Sequence, residues 1–262
     1  MDQRTALITG ASSGIGLELA RLAAHDHCDL IIVSRDSERL ERVAADLQAQ
    51  YGVNVRPEAK DLSSTAGVSE LCADLTQAGT AIDILINNAG VGLYGSLAEQ
   101  RPDAIDRMVQ LNVAALTTLT RFALIGMRER RWGRILNLAS VVAYQPGSPY
   151  MTVYYATKAY VLSFSRGLSR ELDGTGVSVT VLSPGPTETA FDDRAGADDQ
   201  SVLYKRYPKM TAEAVARAGY RGMLRQSRAV VPGFLTKVLA FAGELPPRRI
   251  ALEVNRAIWK SR

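Results

Sequence analysis

Short β-rich apolar runs alternate along most of this chain with longer stretches of helical periodicity. Strands are predicted at Ala6–Thr9, Asp29–Ser34, Val53–Glu58, Asp83–Asn87, Arg134–Leu138, Val177–Leu182 and Ala229–Val231. Helices are predicted near 15–25, 37–50, 65–79, 103–130, 153–173 and 211–226. Continuously apolar strands that alternate with helices are typical of parallel sheets covered on both faces. The pattern therefore predicts an α/β fold built on a doubly wound parallel sheet.

Composition and charge exclude several classes of protein. With 47% hydrophobic and 22% charged residues, the chain is not disordered as a whole. Its net charge of +4 is mild and dispersed, so we expect no nucleic-acid partner. Two cysteines and two histidines offer no metal site, and we expect none. Because we find neither a signal-like apolar region nor an uninterrupted apolar run of spanning length, we expect a cytoplasmic protein.

A glycine-rich turn, Thr9–Gly16, follows the first predicted strand and opens the first predicted helix. Its glycines permit positive φ angles and close backbone approach, and the helix N-terminus offers free N–H groups. At the first strand–helix junction of a βαβ unit, such a turn predicts the dinucleotide site of a Rossmann-type domain. We expect the cofactor to be bound there by Gly10, Ser12, Ser13, Gly14, Ile15 and Gly16.

The end of the second strand favours NADP(H) over NAD(H). An acid at this position binds the ribose 2′-hydroxyl, whereas an arginine accommodates a 2′-phosphate. Asp36 lies about 20 residues after Gly16, which by itself favours NAD(H). The strand end instead puts Ser34 in the usual place of the acid, with Arg35 directly after it. Because the strand end fixes which side chain meets the ribose, we expect Arg35 to face the phosphate and Asp36 to cap the next helix.

Tyr154 and Lys158 are four residues apart in a predicted helix, so they share one face of it. A tyrosine hydroxyl has an ordinary pKa near 10, and a neighbouring ammonium or oxidised nicotinamide would lower that pKa. The pair can then exchange a proton with a substrate oxygen while hydride moves at carbon. Ser140 ends a strand 14 residues before Tyr154 and can hydrogen-bond the same oxygen.

Together these motifs resemble the short-chain dehydrogenase/reductase family, in its single-domain Tyr-x-x-x-Lys subgroup, over residues 4 to about 232. The motifs that carry the resemblance are Thr9–Gly16, Asp61-Leu62, Asn87-Asn88-Ala89-Gly90, Asn112, Ser140, Tyr154 with Lys158, and Pro184-Gly185 followed by Thr189. The resemblance implies an NADP(H)-dependent oxidoreductase. Such an enzyme transfers a hydride between the nicotinamide and a ketone, an aldehyde or a secondary alcohol.

For the adenosine half of the cofactor, the resemblance implies that Asp61 contacts the adenine edge, with Leu62 beside it. Asn88 and Gly90 are expected to pack near the adenosine ribose. One subset of NADP-using members places a basic residue where this chain has Ser13. That departure leaves Arg35 as the main expected ligand of the phosphate.

For the reacting half, the resemblance implies that Tyr154 is the acid/base and that Ser140 positions the carbonyl. Lys158 is expected to hold the nicotinamide ribose and to lower the pKa of Tyr154. Asn112 is expected to support a water that links Lys158 to solvent. The spacing from Ser140 to Tyr154 is one residue longer than the family pattern, and we place the extra residue in the turn Gly147–Pro149.

A polar, irregular segment at about 186–210 breaks the alternation and is predicted to form a ligand lid. By resemblance, Thr187 and Thr189, which follow Pro184-Gly185, clasp the carboxamide of the nicotinamide. The mostly apolar loops after the strands, together with the lid, favour a lipophilic substrate. The expected pocket walls are Val91, Leu93, Tyr94, Val142, Tyr144, Tyr150 and Phe191.

We divide the chain into a dinucleotide-binding catalytic domain, 1–232, and a C-terminal helical extension, 233–262. The helices at 103–130 and 153–173 resemble those that pair subunits in this family, so a homodimer or homotetramer is expected. Two alternatives stay open at this point. One is a non-catalytic NADPH-binding sensor or scaffold, and the other is a membrane-associated lipid reductase that uses its apolar, basic extension.

Overall fold

A computed structural model describes residues 3–191, 195 and 208–244 of the chain. The strands are β1 Thr5–Thr9, β2 Asp29–Ser34, β3 Val55–Ala59, β4 Ile84–Asn87, β5 Gly133–Leu138, β6 Val177–Leu182, β7 Thr187–Glu188, β8 Met210–Thr211 and β9 Ala229–Val230. The α-helices are α1 Gly14–His25, α2 Ser37–Tyr51, α3 Thr65–Gln77, α4 Pro102–Val109, α5 Leu116–Glu129, α6 Thr152–Glu171, α7 Ala212–Leu224 and α8 Phe234–Glu244. A π-helix spans Gln110–Ala115, and a 3₁₀-helix spans Val141–Tyr144.

Seven strands form one parallel sheet in the order β3-β2-β1-β4-β5-β6-β9. Side chains alternate between its two faces, as the period of a strand requires. Ile8 and Ile32 belong to the core on one face, whereas Leu7 and Ile31 belong to the core on the other. Each face is covered by helices, and the predicted doubly wound sheet is confirmed.

The strand order reverses between β1 and β4. From β1 the chain builds outward through β2 and β3, and after α3 it crosses back to pair β4 with the free side of β1. In such sheets the ligand crevice lies outside the carboxyl ends of the strands at this switch point. The fold thus fixes where a dinucleotide site can form.

The helix predicted over 103–130 is interrupted. The π-helix Gln110–Ala115 separates α4 from α5, and the periodicity of the sequence did not reveal it. Within the described residues, Pro102–Glu129 is the one helical run long and apolar enough to cross a membrane. Leu119 and Ala123 of α5 pack against the sheet, so this run is a core helix of the fold.

The predicted lid and extension are described in part. β7 and β8 pair with each other at the two ends of the lid segment, while 192–194 and 196–207 lie outside the described residues. Helix α8 packs on the 3₁₀-helix Val141–Tyr144. Residues 245–262 of the predicted extension also lie outside the described residues, and the domain division at 232 stays a prediction.

Candidate active site

A cleft of about 660 Å³ runs along the carboxyl ends of the central strands. It begins at the glycine-rich turn after β1 and passes the ends of β2 and β3 on one side. On the other side it passes the ends of β4, β5 and β6 and reaches Tyr154 and Lys158 of α6. The volume suits an extended organic ligand, since small-molecule sites usually measure about 300–1,000 Å³.

The turn after β1 is shaped by two glycines in the left-handed region. Gly10 has φ +67° and Gly14 has φ +56°, angles that other residues adopt only at a cost. Ser13 caps α1 in an extended conformation without a side-chain hydrogen bond to the helix. The first N–H groups of α1 therefore face the cleft without a side-chain cap, and they can receive an anionic group. Ser12, Ser13 and Ile15 line the same wall.

Asn88 holds this turn in place. Its side-chain amide donates to the carbonyl oxygens of Thr9 at 2.9 Å and of Gly10 at 3.1 Å. Gly16, predicted as a cofactor contact, is not among the residues that line the cleft. A Cβ on Gly16 would lie 2.2 Å from the carbonyl oxygen of Gly10. Gly16 therefore packs behind the turn, because only a hydrogen on its Cα leaves room for that carbonyl.

Cations collect at the cleft beside the ends of β2 and β3. Arg35 is exposed there, and Arg39 and Lys60, which sequence reasoning missed, line the same end. The Lys60 ammonium lies 2.7 Å from the carboxylate of Asp74. As predicted, Asp36 caps α2, and its carboxylate accepts from the backbone N–H of Arg39 at 3.0 Å. This hydrogen bond engages Asp36 with its own helix.

Asp61 also lines the cleft, directly after Lys60, and Leu62 lines it beside Asp61. Its carboxylate accepts from the backbone N–H of Ser63 at 3.0 Å and from the Ser63 hydroxyl at 2.6 Å. Burial raises the pKa of Asp61, but the Ser63 hydrogen bonds and the nearby Arg35 and Arg107 outweigh it and lower that pKa. Asp61 is thus held as an anion whose remaining oxygen can accept a hydrogen bond.

Tyr154 and Lys158 lie in the first two turns of α6 and are both nearly buried, at 7% and 6% exposure. The Lys158 ammonium donates to the Leu138 carbonyl at 2.9 Å and lies 5.9 Å from the centre of the Tyr154 ring. Burial lowers the pKa of Lys158 to about 8. A desolvated ammonium beside a phenol stabilises the phenolate more strongly than the same charge in water does.

Ser140 follows β5 and lines the cleft, and its hydroxyl accepts weakly from the backbone N–H of Val142 at 3.4 Å. Asn112 lies in the π-helix and is 1% exposed. Its side chain exchanges two hydrogen bonds with the Val91 backbone, at 3.0 and 2.9 Å, and donates to Thr157 at 3.1 Å. Asn112 does not line the cleft, and its side chain is engaged by the hydrogen bonds to Val91 and Thr157.

Gly90 lies next to the side chains of both Asn112 and Lys158. It lines the cleft, and a Cβ on it would lie 3.3 Å from both the Asn112 side-chain oxygen and the Lys158 ammonium. Any larger residue would press on the lysine that faces Tyr154. The loop that precedes α6 contains two residues with positive φ, Gly147 at +136° and Tyr150 at +62°. The place of the extra residue in this loop stays a prediction.

The loop after β6 closes the cleft from the opposite side. The Pro184 carbonyl accepts from the backbone N–H of Val141, and the Thr187 hydroxyl donates to the Gly185 carbonyl at 2.9 Å. Pro184, Gly185, Thr187 and Thr189 all line the cleft. A Cβ on Gly14 would lie 3.0 Å from the Thr189 methyl, so this loop meets the glycine-rich turn.

An aromatic and aliphatic cluster covers the far end of the cleft. The rings of Tyr154 and Phe191 lie 5.5 Å apart, and Val91, Val142 and Met151 line the wall around them. The same cluster includes Leu93, Tyr94 and Tyr150, but these three predicted pocket walls do not line the cleft. The stacked rings of Tyr94 and Tyr150 lie 5.8 Å apart.

Tyr144 was wrongly predicted as a pocket wall. It is buried in a different cluster, together with Ala240 of α8, and Arg166 lies over its ring at 5.2 Å. The 3₁₀-helix turns Tyr144 away from the cleft, whereas Val142 of the same turn faces it.

Some residues that line the cleft were not predicted, because the sequence gives only weak indications of their position. Arg39 reaches the cleft from the first turn of α2, and no local pattern shows that this side of the helix faces the cleft. Lys60 directly follows β3, whose end adjoins that of β2, so its place could have been inferred from the strand order. Met151 immediately precedes α6 and therefore lies near Tyr154.

Comparison with known proteins assigns the family. The short chain dehydrogenase family model matches residues 4–200. An uncharacterized oxidoreductase from Staphylococcus saprophyticus is 33% identical over 218 residues, which span 83% of this chain and 92% of that protein. The chain belongs to the short-chain dehydrogenase/reductase family. It is accordingly an oxidoreductase that acts on alcohol or carbonyl groups.

Solved structures of related enzymes have the same fold. A short-chain dehydrogenase from Sphingobium yanoikuyae in complex with NADPH is 34% identical, with a TM-score of 0.80 and 92% coverage of each chain. The bulky-bulky ketone specific alcohol dehydrogenase from Comamonas testosteroni is 33% identical, with a TM-score of 0.78. That alignment covers 89% of this chain and 88% of the Comamonas enzyme.

Proposed function

We propose that this protein is an NADP(H)-dependent oxidoreductase of lipophilic ketones, aldehydes or secondary alcohols, with Tyr154 as the acid/base. One observation carries the proposal. The buried Lys158 ammonium faces the Tyr154 ring inside the same cleft that begins at the glycine-rich turn. A buried cation beside a phenol has a clear chemical use, namely to stabilise the phenolate left when the hydroxyl gives up its proton.

In the direction of reduction, Tyr154 donates its hydroxyl proton to the substrate oxygen, and Ser140 holds that oxygen by a hydrogen bond. When bound along the cleft, NADPH would supply the hydride that the carbonyl carbon accepts. Lys158 stabilises the resulting phenolate through its charge, while Asn112 fixes the backbone of Val91 beside the reacting groups. In the direction of oxidation, the Tyr154 phenolate takes the same proton from the alcohol.

The cleft fits a dinucleotide along its length. The close approach of backbone to ligand that a pyrophosphate needs is available at Gly10 and Gly14, which lack a Cβ. The end of β2 favours NADP(H), because Arg35 and Arg39 are exposed beside it, while Asp36 uses one of its oxygens to cap α2. The NADPH complex of the Sphingobium relative supports the same choice.

The far end of the cleft favours a bulky apolar substrate. Its described walls are Val91, Val142, Met151, Phe191 and Ala195, and they carry no charge to bind a carboxylate. Apolar burial contributes about 25 cal/mol per Å², so a bulky ketone gains affinity there without a charged anchor. The ketone specificity that names the Comamonas relative points in the same direction.

NADPH oxidation by the purified protein, measured over a panel of bulky and small carbonyl compounds, tests the proposal. Tyr154→Phe should lose about 10²–10⁴-fold in kcat, the usual contribution of general acid–base catalysis, while NADPH still binds. Tyr160→Phe is the matched control, because Tyr160 lies on the same helix and its hydroxyl pairs with Thr117 outside the cleft. Retained turnover in Tyr154→Phe would refute the assignment.

We further propose a homodimer or homotetramer that forms through α5 and α6. Ile125 is 51% exposed and Tyr160 38% exposed on these helices, so each carries apolar surface that a second subunit would cover. Light scattering of Ile125→Asp should then report a smaller particle than the wild type. We propose a cytoplasmic location for the protein.

A further inference from the structure

Gly92 lies directly behind one wall of the far end of the cleft. Phe191 and Ala195 line the cleft, whereas Gly92, in the loop after β4, is not among the residues that line it. A Cβ on Gly92 would lie 3.0 Å from Cζ of Phe191 and 3.3 Å from Cβ of Ala195. Both distances are shorter than an optimal contact between carbon atoms, about 3.5–4.0 Å. The wall thus occupies the space that a side chain at residue 92 would fill.

The backbone of Gly92 does not itself require a glycine. Its φ lies outside the left-handed region, in contrast to those of Gly10, Gly14 and Gly95. An alanine can therefore adopt the same backbone angles without the strain of a positive φ. Space is what excludes a side chain at residue 92, and the atoms that take up this space belong to the wall of the cleft.

The loop that carries Gly92 is held on both sides. Just before it, the Asn112 side chain accepts from the backbone N–H of Val91 at 3.0 Å and donates to the Val91 carbonyl at 2.9 Å. Just after it, the backbone N–H of Gly95 donates to the Tyr150 carbonyl at 2.8 Å. A shift of the loop would break these hydrogen bonds, and unsatisfied buried partners cost free energy. A side chain at residue 92 would therefore displace the wall rather than the loop.

Phe191 carries such a displacement to the reacting end of the cleft. Its ring lies 5.5 Å from the ring of Tyr154, at an angle of 45°. Ala195 is tied to the loop of Gly92, because its carbonyl accepts from the backbone N–H of Tyr94 at 3.0 Å. The Phe191 side chain can rotate, whereas the Cβ of Ala195 moves only with its backbone. Pressure from residue 92 would thus move the Phe191 ring into the cleft.

We propose that Gly92 is a specificity-determining residue that sets how large a substituent the substrate can carry beside Tyr154. With only a hydrogen on this Cα, the Phe191 ring stays back from the cleft and leaves room for a bulky group. A larger residue would push the ring forward and exclude that group. The inference rests on the proposed function and deepens it, because it assigns the size limit of the substrate to one position.

Selectivity between a bulky and a small ketone tests the role of Gly92. Gly92→Ala should lower kcat/KM for benzophenone about tenfold and kcat/KM for butanone less than about twofold, because an added methyl group in a packed wall hinders only a ligand that fills the site. The Kd of benzophenone, measured by equilibrium dialysis, should rise about tenfold as well. Gly167→Ala is the matched control, since a Cβ there meets open space, and it should change none of these values.

A double-mutant cycle distinguishes action through Phe191 from general destabilisation. In the Phe191→Ala background, Gly92→Ala should change kcat/KM for benzophenone less than about twofold, because the ring that it displaces is gone. Equal losses for both ketones in Gly92→Ala, or an undiminished loss in the Phe191→Ala background, would overturn the proposal. Absence of benzophenone binding by the wild type would overturn it as well. Benzophenone that binds without turnover, with a Kd that still depends on residue 92, would refute the proposed reaction and support the role of Gly92.

Discussion

Replacement of Arg35 by serine should abolish the proposed preference for NADPH, so that NADPH and NADH bind about equally. Arg35 is exposed at the end of the cleft, and the described residues show no ion pair for it. Lys60 differs, since its ammonium already lies 2.7 Å from the Asp74 carboxylate. Arg35 is thus a cation that a 2′-phosphate can engage without breaking an existing pair, and it lies directly after β2.

The size of the effect follows from that exposure. A hydrogen bond to a charged group contributes about 1.5–3 kcal/mol, and an exposed site belongs in the lower half of that range. A loss of about 2 kcal/mol corresponds to a roughly 30-fold rise in the Kd of NADPH. NADH lacks the 2′-phosphate, so its Kd should change less than about twofold.

Titration of the protein with each reduced cofactor, followed by nicotinamide fluorescence, measures both constants. Arg42→Ser serves as the control, because Arg42 is exposed on α2 but does not line the cleft, and its guanidinium bonds the Glu38 carbonyl. An equal loss for NADPH and NADH in Arg35→Ser would refute the reasoning, since it would mean that Arg35 supports the fold of the site. An unchanged preference for NADPH would refute it as well.

Three further predictions concern the rest of the cleft. Reduction should slow as the pH rises through about 8, where buried Lys158 loses its charge. Between about pH 8 and 10.5, Lys158 has released its proton in the folded protein but keeps it in the unfolded chain, so stability should increase with pH. Over this range the free energy of unfolding of the wild type should rise by up to about 3 kcal/mol more than that of Lys158→Met. Gly10→Ala should lose stability and at least about tenfold in NADPH affinity, because its Cβ would meet Asn88 at 2.7 Å. Phe191→Ala should raise the KM of a bulky ketone about tenfold without weakening NADPH binding, because it removes apolar surface at the far end of the cleft.

Each of these predictions has its own check. pH–rate profiles and denaturant unfolding report the Lys158 effect, and a profile that stays flat through pH 8 would contradict it. Gly52→Ala is the control for Gly10→Ala, since both glycines have φ +67° but Gly52 has open space around its Cα. Equal losses in these two variants would mean that backbone strain alone is responsible. For Phe191→Ala, an unchanged KM across bulky and small ketones would exclude Phe191 from the substrate wall.

Much of the fold could be predicted because parallel strands buried on both faces need long apolar runs. Five of the seven sheet strands have such runs in the sequence. The two edge strands do not, since β3 contains Arg56, Pro57 and Glu58, and β9 is a short apolar pair. Boundaries were less certain, and β3 begins at Val55 where Val53 was predicted. The π-helix could not be predicted, because one inserted residue barely changes an apolar helical pattern.

The candidate site was predicted through local motifs. The glycine-rich turn and the Tyr154–Lys158 pair each depend on residues close in sequence, so their geometry can be expected before the fold is known. Tyr144 was misplaced because neighbouring residues of a short 3₁₀-helix point in different directions. Arg39 and Lys60 were missed because their approach to Arg35 depends on which side of α2 faces the cleft and on the pairing of β2 with β3.

The sequence by itself determined the strand–helix alternation, a glycine-rich turn suited to a phosphate and a pair of residues suited to moving a proton. These properties depend on periodicity, on backbone freedom at glycine and on side-chain chemistry, all of which are local. The tertiary structure alone decided that Lys158 is desolvated, that Asn112 is engaged by Val91 and Thr157, and that α8 faces outward beside the cleft. Burial and contact between distant segments arise only when the whole chain packs, so no local pattern encodes them.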